Sequence, residues 1–247
     1  MSASRKLIYG FHAVLARLRQ QPASVHEVYL DQQRHDARAK DISALVDQHA
    51  VKIHPVESSR LDRLAGHTQH QGVLAFVEQK ALSHSLDDIL DAVAEPPLVL
   101  VLDGIQDPHN LGACLRVADA MGVHAVVAPR DRAVGLTATA MKVASGAAET
   151  VPYIQVTNLA RTLRELQERD IWVVGTAAEG EQDLFQFDHR GGLAIVMGSE
   201  GDGMRRLTRE TCDQLIRIPM FGSVESLNVS VAAGICLAQA RRLRTLK

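Results

Sequence analysis

Pro97-Leu-Val-Leu-Val-Leu102-Asp103-Gly-Ile-Gln-Asp107-Pro-His-Asn110-Leu-Gly112-Ala-Cys-Leu-Arg116 is the stretch whose reading decides the fold. Residues 98–102 are continuously apolar and bounded by Pro97 and Asp103. That is the signature of a strand buried on both faces. A polar, Gly- and Pro-containing turn follows, and then apolar spacing at helical period over 111–121. Asn110 is placed as the helix N-cap, and a helix N-terminus attracts phosphate. Arg116 lies within the second turn of that helix, where a long guanidinium reaches back toward an anion at the loop. On spacing alone, Asn110 is equally an ordinary cap and Arg116 equally a partner of Asp119 or of solvent.

The same unit recurs outward from this stretch. Apolar strand-like runs stand at 125–128, 171–175, 193–197 and 215–218, separated by helical stretches at 136–147, 159–169 and 228–244. Continuous apolar strands alternating with helices predict an α/β fold with a parallel sheet covered on both faces. In such sheets ligands bind at the carboxyl ends of the strands. Two more loops therefore matter. Gly198-Ser-Glu200-Gly-Asp-Gly203 lets backbone approach a ligand closely, and Glu200 is placed to bond backbone amides within it. Ile218-Pro-Met220-Phe-Gly-Ser-Val-Glu-Ser226-Leu-Asn228-Val-Ser230 leads into a final helix rich in small residues, with Ser226 as the expected N-cap. Neither GxGxxG nor a Walker sequence is present.

Upstream, the character differs. Residues 1–79 read as short alternating elements: a helix at 7–20, a strand at 25–30, a helix at 39–49, a strand at 51–56, a short helix from Ser58/Ser59 to Leu64, and a strand at 72–77. This segment holds 10 Lys+Arg against 8 Asp+Glu and 7 of the 11 histidines. With no acid–base constellation in it, a binding module is the natural reading. Residues 80–96, polar and closed by Glu95-Pro96-Pro97, read as a connector with a short helix at 86–93.

Composition narrows the class. The 247 residues are 46% hydrophobic and 23% charged, the balance of an ordinary globular protein. No run approaches the roughly 18 apolar residues that span a bilayer, so no membrane partner is expected. The three cysteines lack CxxC spacing, which leaves no zinc or disulfide framework and fits a reducing, cytoplasmic setting. The net charge of −2 removes bulk attraction to nucleic acid. It leaves local clusters: Arg130/Arg132, Arg205/Arg206/Arg209 and the tail Arg241/Arg242/Arg244/Lys247, each as readily a solvated face.

Taken jointly, Asn110-x-Gly112-x-x-x-Arg116, Gly198-x-Glu200-x-x-Gly203 and Ile218-Pro-Met…Ser226-Leu-Asn228-Val-Ser230 resemble the three motifs of the SpoU (TrmH) branch of the SPOUT methyltransferases. The resemblance covers nearly the whole chain. Residues 107–116 and Met204-Arg-Arg-Leu-Thr-Arg-Glu are similar to bacterial members that methylate a guanosine ribose of 23S rRNA. It implies a C-terminal SPOUT domain over 97–247 with a trefoil knot, an L30e-like RNA-binding domain over 1–79, and a linker at 80–96. It also implies S-adenosylmethionine as cofactor, S-adenosylhomocysteine as product, no metal, a homodimer through the C-terminal domain, and 23S rRNA or a ribosomal assembly intermediate as partner. The implied catalytic residues are Arg116, Asn110, Glu200, Ser226 and Asn228. Cofactor contacts would come from backbone around Thr176, Gly198, Ile218 and Leu227. A tRNA 2′-O-methyltransferase of the same branch and a non-catalytic RNA-binding protein stand as alternatives.

Overall fold

The computed structural model describes residues 5–78 and 85–245. The chain divides into two compact units, Met1–Ala81 and Leu82–Lys247.

The first unit runs β1 (Arg5–Tyr9), α1 (Phe11–Gln20), β2 (Val25–Asp31), α2 (Ala37–Gln48), β3 (Lys52–Val56), α3 (Ser58–Ala65) and β4 (Val73–Glu78). Its sheet has the order β1-β4-β2-β3, with β2–β3 parallel and the other pairs antiparallel. Phe11, Val14, Leu18, Ile42 and Val46 from α1 and α2 pack with Val28, Val73, Ala75 and Val77 of the sheet. Tyr29 and Leu74 turn the other way, onto Leu61 of α3. The helix expected at 7–20 is therefore two elements. Gly10, at φ 86°, breaks the chain between strand and helix, a conformation open to glycine. Apolar spacing ran across the break because Leu7 and Ile8 continue the helical pattern of Phe11 and Val14.

The second unit runs α4 (Leu86–Asp91), β5 (Leu98–Asp103), α5 (Pro108–Ala120), β6 (Ala125–Pro129), α6 (Ala138–Ala144), β7 (Tyr153–Val156), α7 (Leu159–Gln167), β8 (Ile171–Thr176), β9 (Gln182–Asp183), β10 (Gly192–Gly198), α8 (Arg206–Thr211), β11 (Gln214–Arg217) and α9 (Val229–Thr245). Its sheet has the order β7-β6-β5-β10-β8-β11-β9 and is parallel throughout. Alternate residues serve opposite faces, as the strand period of two requires. Leu98, Leu100, Leu102, Leu193 and Ile195 pack with α5, α6 and α9. Val99, Val101, Ala194, Val196 and Val173 pack with α7 and Leu90. Every residue of β5 is buried. The connector expected at 80–96 begins outside the described residues, and from Ser85 onward it carries α4, whose Asp87 and Asp91 both pair with Arg169.

Two helix starts differ from expectation. Pro108 occupies the first turn of α5 and Asp107 is its cap, accepting from the His109 amide at 2.8 Å. Asn110 thus lies inside the helix with its side chain released from capping. At α9 the cap is Asn228, which accepts from the Ser230 amide at 3.0 Å, in place of Ser226. The expected helix at 136–147 is α-helical only over Ala138–Ala144, because Ser145 and Gly146 turn left-handed before a short 3-10 turn at Ala147–Glu149.

Candidate functional site

Parallel pairing places the ends of β5, β10, β8 and β11 along one edge, and the polar loops leave from there. After β10 the chain folds back on itself. Ser199 and Gly203 exchange backbone hydrogen bonds at 3.0 Å, which puts Glu200-Gly201-Asp202 at the tip of a tight loop. Gly201 and Gly203 take φ of 91° and 68° to close it.

The stem of that loop is held from below. Asp103, at the end of β5, is 1% exposed. Its carboxylate accepts from the Arg205 amide at 2.9 Å and Arg205 Nε at 2.6 Å. A buried carboxylate needs such pairing, and breaking one partner of a pair like this leaves an uncompensated charge. Local pattern could not find this ion pair, since its partners stand 102 positions apart.

At the tip, Glu200 Oε1 accepts from Asn228 Nδ2 at 2.8 Å, Asn110 Nδ2 at 3.2 Å and the Val229 amide at 3.3 Å. A carboxylate only accepts, so both asparagines must present their amide nitrogens to it. The remaining atoms then fall into order. Asn110 Oδ1 accepts from Asn228 Nδ2 at 2.9 Å, while Asn228 Oδ1 accepts from the amide of Ser230 and, at 2.6 Å, from its hydroxyl. Glu200 also sits at the positive end of α9. Residues from three distant loops are thereby fixed in one arrangement, beside an open cleft of about 240 Å³ lined by Gln106, Asp107, Asn110, Glu200 and Asp202.

Arg116 and Ser226 are not part of this network. Both are exposed, and neither makes a hydrogen bond or ion pair among the described residues. Arg116 extends from α5, whose position is set by Gly112. A Cβ at Gly112 would stand 2.5 Å from the Ala140 carbonyl of α6, so only glycine admits this helix contact. Cys114, buried on the same helix, is kept as a thiol. Burial, with Glu200 adding, pushes its pKa up to about 12, which removes it as a nucleophile.

Thr176, Gly198 and Ile218 stand at or just past the ends of β8, β10 and β11. Ile218 and Leu227 are partly buried against the main core. Here backbone crosses backbone: a Cβ on Gly198 would stand 2.2 Å from the carbonyl carbon of Gly203, and one on Gly180 would stand 2.4 Å from that of Ile216. A side chain is excluded at both of these crossings. Among the described residues, no cluster of three or more His, Cys, Asp or Glu suited to a metal is present, and no helix is long and apolar enough to cross a membrane.

Residues 97–238 match the model of the SpoU rRNA Methylase family, and residues 7–82 match the model for RNA 2′-O ribose methyltransferase substrate binding. The 23S rRNA (guanosine-2′-O-)-methyltransferase RlmB of Ralstonia nicotianae is 60% identical over 241 residues, covering 98% of this chain and 97% of its own. Among solved structures, the SpoU methyltransferase AviRb of Streptomyces viridochromogenes in complex with AdoMet has a TM-score of 0.69 at 27% identity, covering 98% of this chain and 91% of its own. The TrmH/SpoU tRNA modifying enzyme of A. aeolicus has a TM-score of 0.55 at 29% identity, covering 61% of this chain and 78% of its own.

Proposed function

The chain belongs to the SpoU rRNA Methylase family, and from that premise we propose that it transfers a methyl group from S-adenosylmethionine to the ribose 2′-hydroxyl of a guanosine in 23S rRNA, as a step of ribosome maturation. The observation that carries the reading is the locked arrangement of Asn110, Glu200 and Asn228 at the carboxyl edge of a parallel sheet, with Arg116 nearby in sequence and uncommitted. The relative from Ralstonia nicotianae, named for that reaction, spans the chain almost end to end.

When bound, S-adenosylmethionine supplies a methyl group on a good leaving group, the sulfonium. The main-chain groups around Thr176, Gly198, Ile218 and Leu227 would hold it, in keeping with crossings that admit no side chain. These close crossings also suit a trefoil knot in the C-terminal unit. The protein's task is to orient the ribose and to stabilise the alkoxide that develops on its oxygen. Arg116 is assigned that role. A guanidinium gives up its proton too reluctantly to make a good general base, whereas as a fixed cation it holds the adjoining phosphate and lowers the hydroxyl's pKa. Asn110, Glu200 and Asn228 keep the edge of the site rigid and orient the ribose, and Ser226, with a free hydroxyl, is available to the RNA.

In this reading residues 1–79 form an L30e-like RNA-binding domain, 80–96 the linker and 97–247 the catalytic domain. The protein acts as a homodimer in the cytoplasm, on 23S rRNA or an assembly intermediate containing it. Exposed Met220, Phe221, Val224 and Val231 around the approach to α9 supply apolar surface for the dimer contact, with Phe221 96% exposed.

Labelled S-adenosylmethionine offered with protein-free 23S rRNA, with tRNA alongside, tests the proposal. Label in a single 2′-O-methylguanosine of 23S rRNA is expected. Label in tRNA alone would overturn the substrate assignment. Transfer that needs a pre-assembled particle would assign the substrate to the assembly intermediate.

A further inference from the structure

Electrostatic attraction to RNA comes from cations whose charge is not already neutralised by the protein. Most arginines of the second unit are committed. Those of α8 pair with Glu210 and Glu179, those of α9 with Glu95, Gln239 and main-chain carbonyls, and Arg205 with buried Asp103. Two of the three arginine clusters visible in the sequence are thus largely spent inside the molecule.

The stretch between Arg116 and Lys142 is different. Arg132 and Lys142 are exposed and make no hydrogen bond or ion pair among the described residues. Arg130 gives one 3.4 Å bond to the Gln155 carbonyl and is otherwise exposed. The carboxylate among them is Asp131. Their placement follows from the sheet. β6 ends at the same edge as β5, and the loop that leaves it is fastened there: the Val134 amide donates to the Ile105 carbonyl at 2.9 Å, and the Tyr153 hydroxyl donates to the Val134 carbonyl at 2.7 Å. α6 then packs on α5 at Gly112, four residues before Arg116 and so on the same side of the helix. Arg132 and Lys142 lie on the flank that adjoins the site, whereas Arg164, also without a partner among the described residues, lies on α7.

We propose that Arg132 and Lys142, with Arg130 beside them, form a phosphate-binding track on the β6–α6 flank that guides the substrate RNA backbone toward Arg116. This rests on the reading of the protein as an RNA methyltransferase. The track positions the backbone and carries no sequence preference, as phosphate contacts do.

The test compares R132A/K142A with the charge-matched R161A/R164A on α7, using binding of a protein-free 23S rRNA fragment across a salt series together with methyl transfer. For R132A/K142A the KM for RNA is expected to rise about tenfold with kcat unchanged, and the salt slope of binding to fall by about 1.4, or roughly 0.7 per lost contact to single-stranded RNA. R161A/R164A is expected to match the wild type, and K142Q alone to lose about half the slope change, which guards against a folding defect in the double variant. Equal behaviour of the two double variants would overturn the track, as would a changed oligomeric state of R132A/K142A, which would assign the flank to a protein contact. A wild type that binds the fragment but methylates neither it nor a pre-assembled particle containing it would overturn the functional reading, while the salt slope would still decide the track.

Discussion

The two edges of the seven-stranded sheet use the same side chain for opposite ends. At the amino edge, Arg244 donates to the carbonyls of Pro96 at 2.6 Å, Pro97 at 2.9 Å and Gly191 at 2.8 Å, and Arg241 donates to Glu95 and to the end of α5. These arginines tie the last helix to the starts of β5 and β10. At the carboxyl edge Arg116 has no partner among the described residues, whereas Asn110 and Asn228 are both bound to Glu200. A run of arginines in a sequence is therefore ambiguous, because what separates structure from function is whether the protein has already met the donors.

That contrast is open to breakage, most sharply at Arg116. R116A is expected to slow methyl transfer about 10³-fold, the scale of one lost charge-stabilising group, while cofactor affinity holds; equilibrium binding of S-adenosylmethionine beside the transfer rate checks both. R244A is expected to do the reverse. Three carbonyls lose their donor, so urea unfolding should show about 3 kcal/mol less stability, with turnover per folded molecule preserved. G112A probes the seam that holds Arg116 in place. The added methyl overlaps the Ala140 carbonyl, for about 2 kcal/mol of destabilisation and a further loss of rate from a displaced α5, read from paired unfolding and kinetic curves.

The smallest effect is in pH. Arg241, hydrogen-bonded to Glu95, holds that carboxyl below its ordinary 4.5. The stability it contributes is complete above pH 4.5 and is lost as pH falls through the lowered folded value. With the side chain about half exposed, solvent screening keeps this under about 1 kcal/mol. E95Q should flatten that part of an acid titration of stability, lowering the neutral range by this same amount of under about 1 kcal/mol and converging with the wild type at low pH.

Much of this was legible in the sequence, for reasons that differ by element. The parallel sheet was readable because β5, β6 and β10 are buried on both faces, and β8 nearly so with only Trp172 exposed, and so carry apolar runs. Tyr153–Val156 escaped because a four-residue strand with a glutamine carries no such run, and Arg206–Thr211 because its six residues carry no apolar period. At the site, the resemblance to the SpoU motifs singled out Asn110, Glu200 and Asn228, which the structure brings together. It misjudged their local roles: Pro108 starts α5 earlier than apolar spacing shows, which frees Asn110 from the cap, and Asn228 rather than Ser226 caps α9. The Asp103–Arg205 pair and the internal use of Arg241 and Arg244 depend on contacts across the fold, beyond the reach of any local pattern.

The most direct test of the central claim is single-turnover methyl transfer to 23S rRNA by R116A and R244A side by side, at saturating cofactor and RNA. The expected result is a rate constant at least 10²-fold down in R116A and near wild type in R244A, with 2′-O-methylguanosine as the sole product of the active proteins. Undiminished transfer by R116A would contradict the account, since the unpartnered arginine of the Asn110-x-Gly112-x-x-x-Arg116 motif would then have no part in the chemistry.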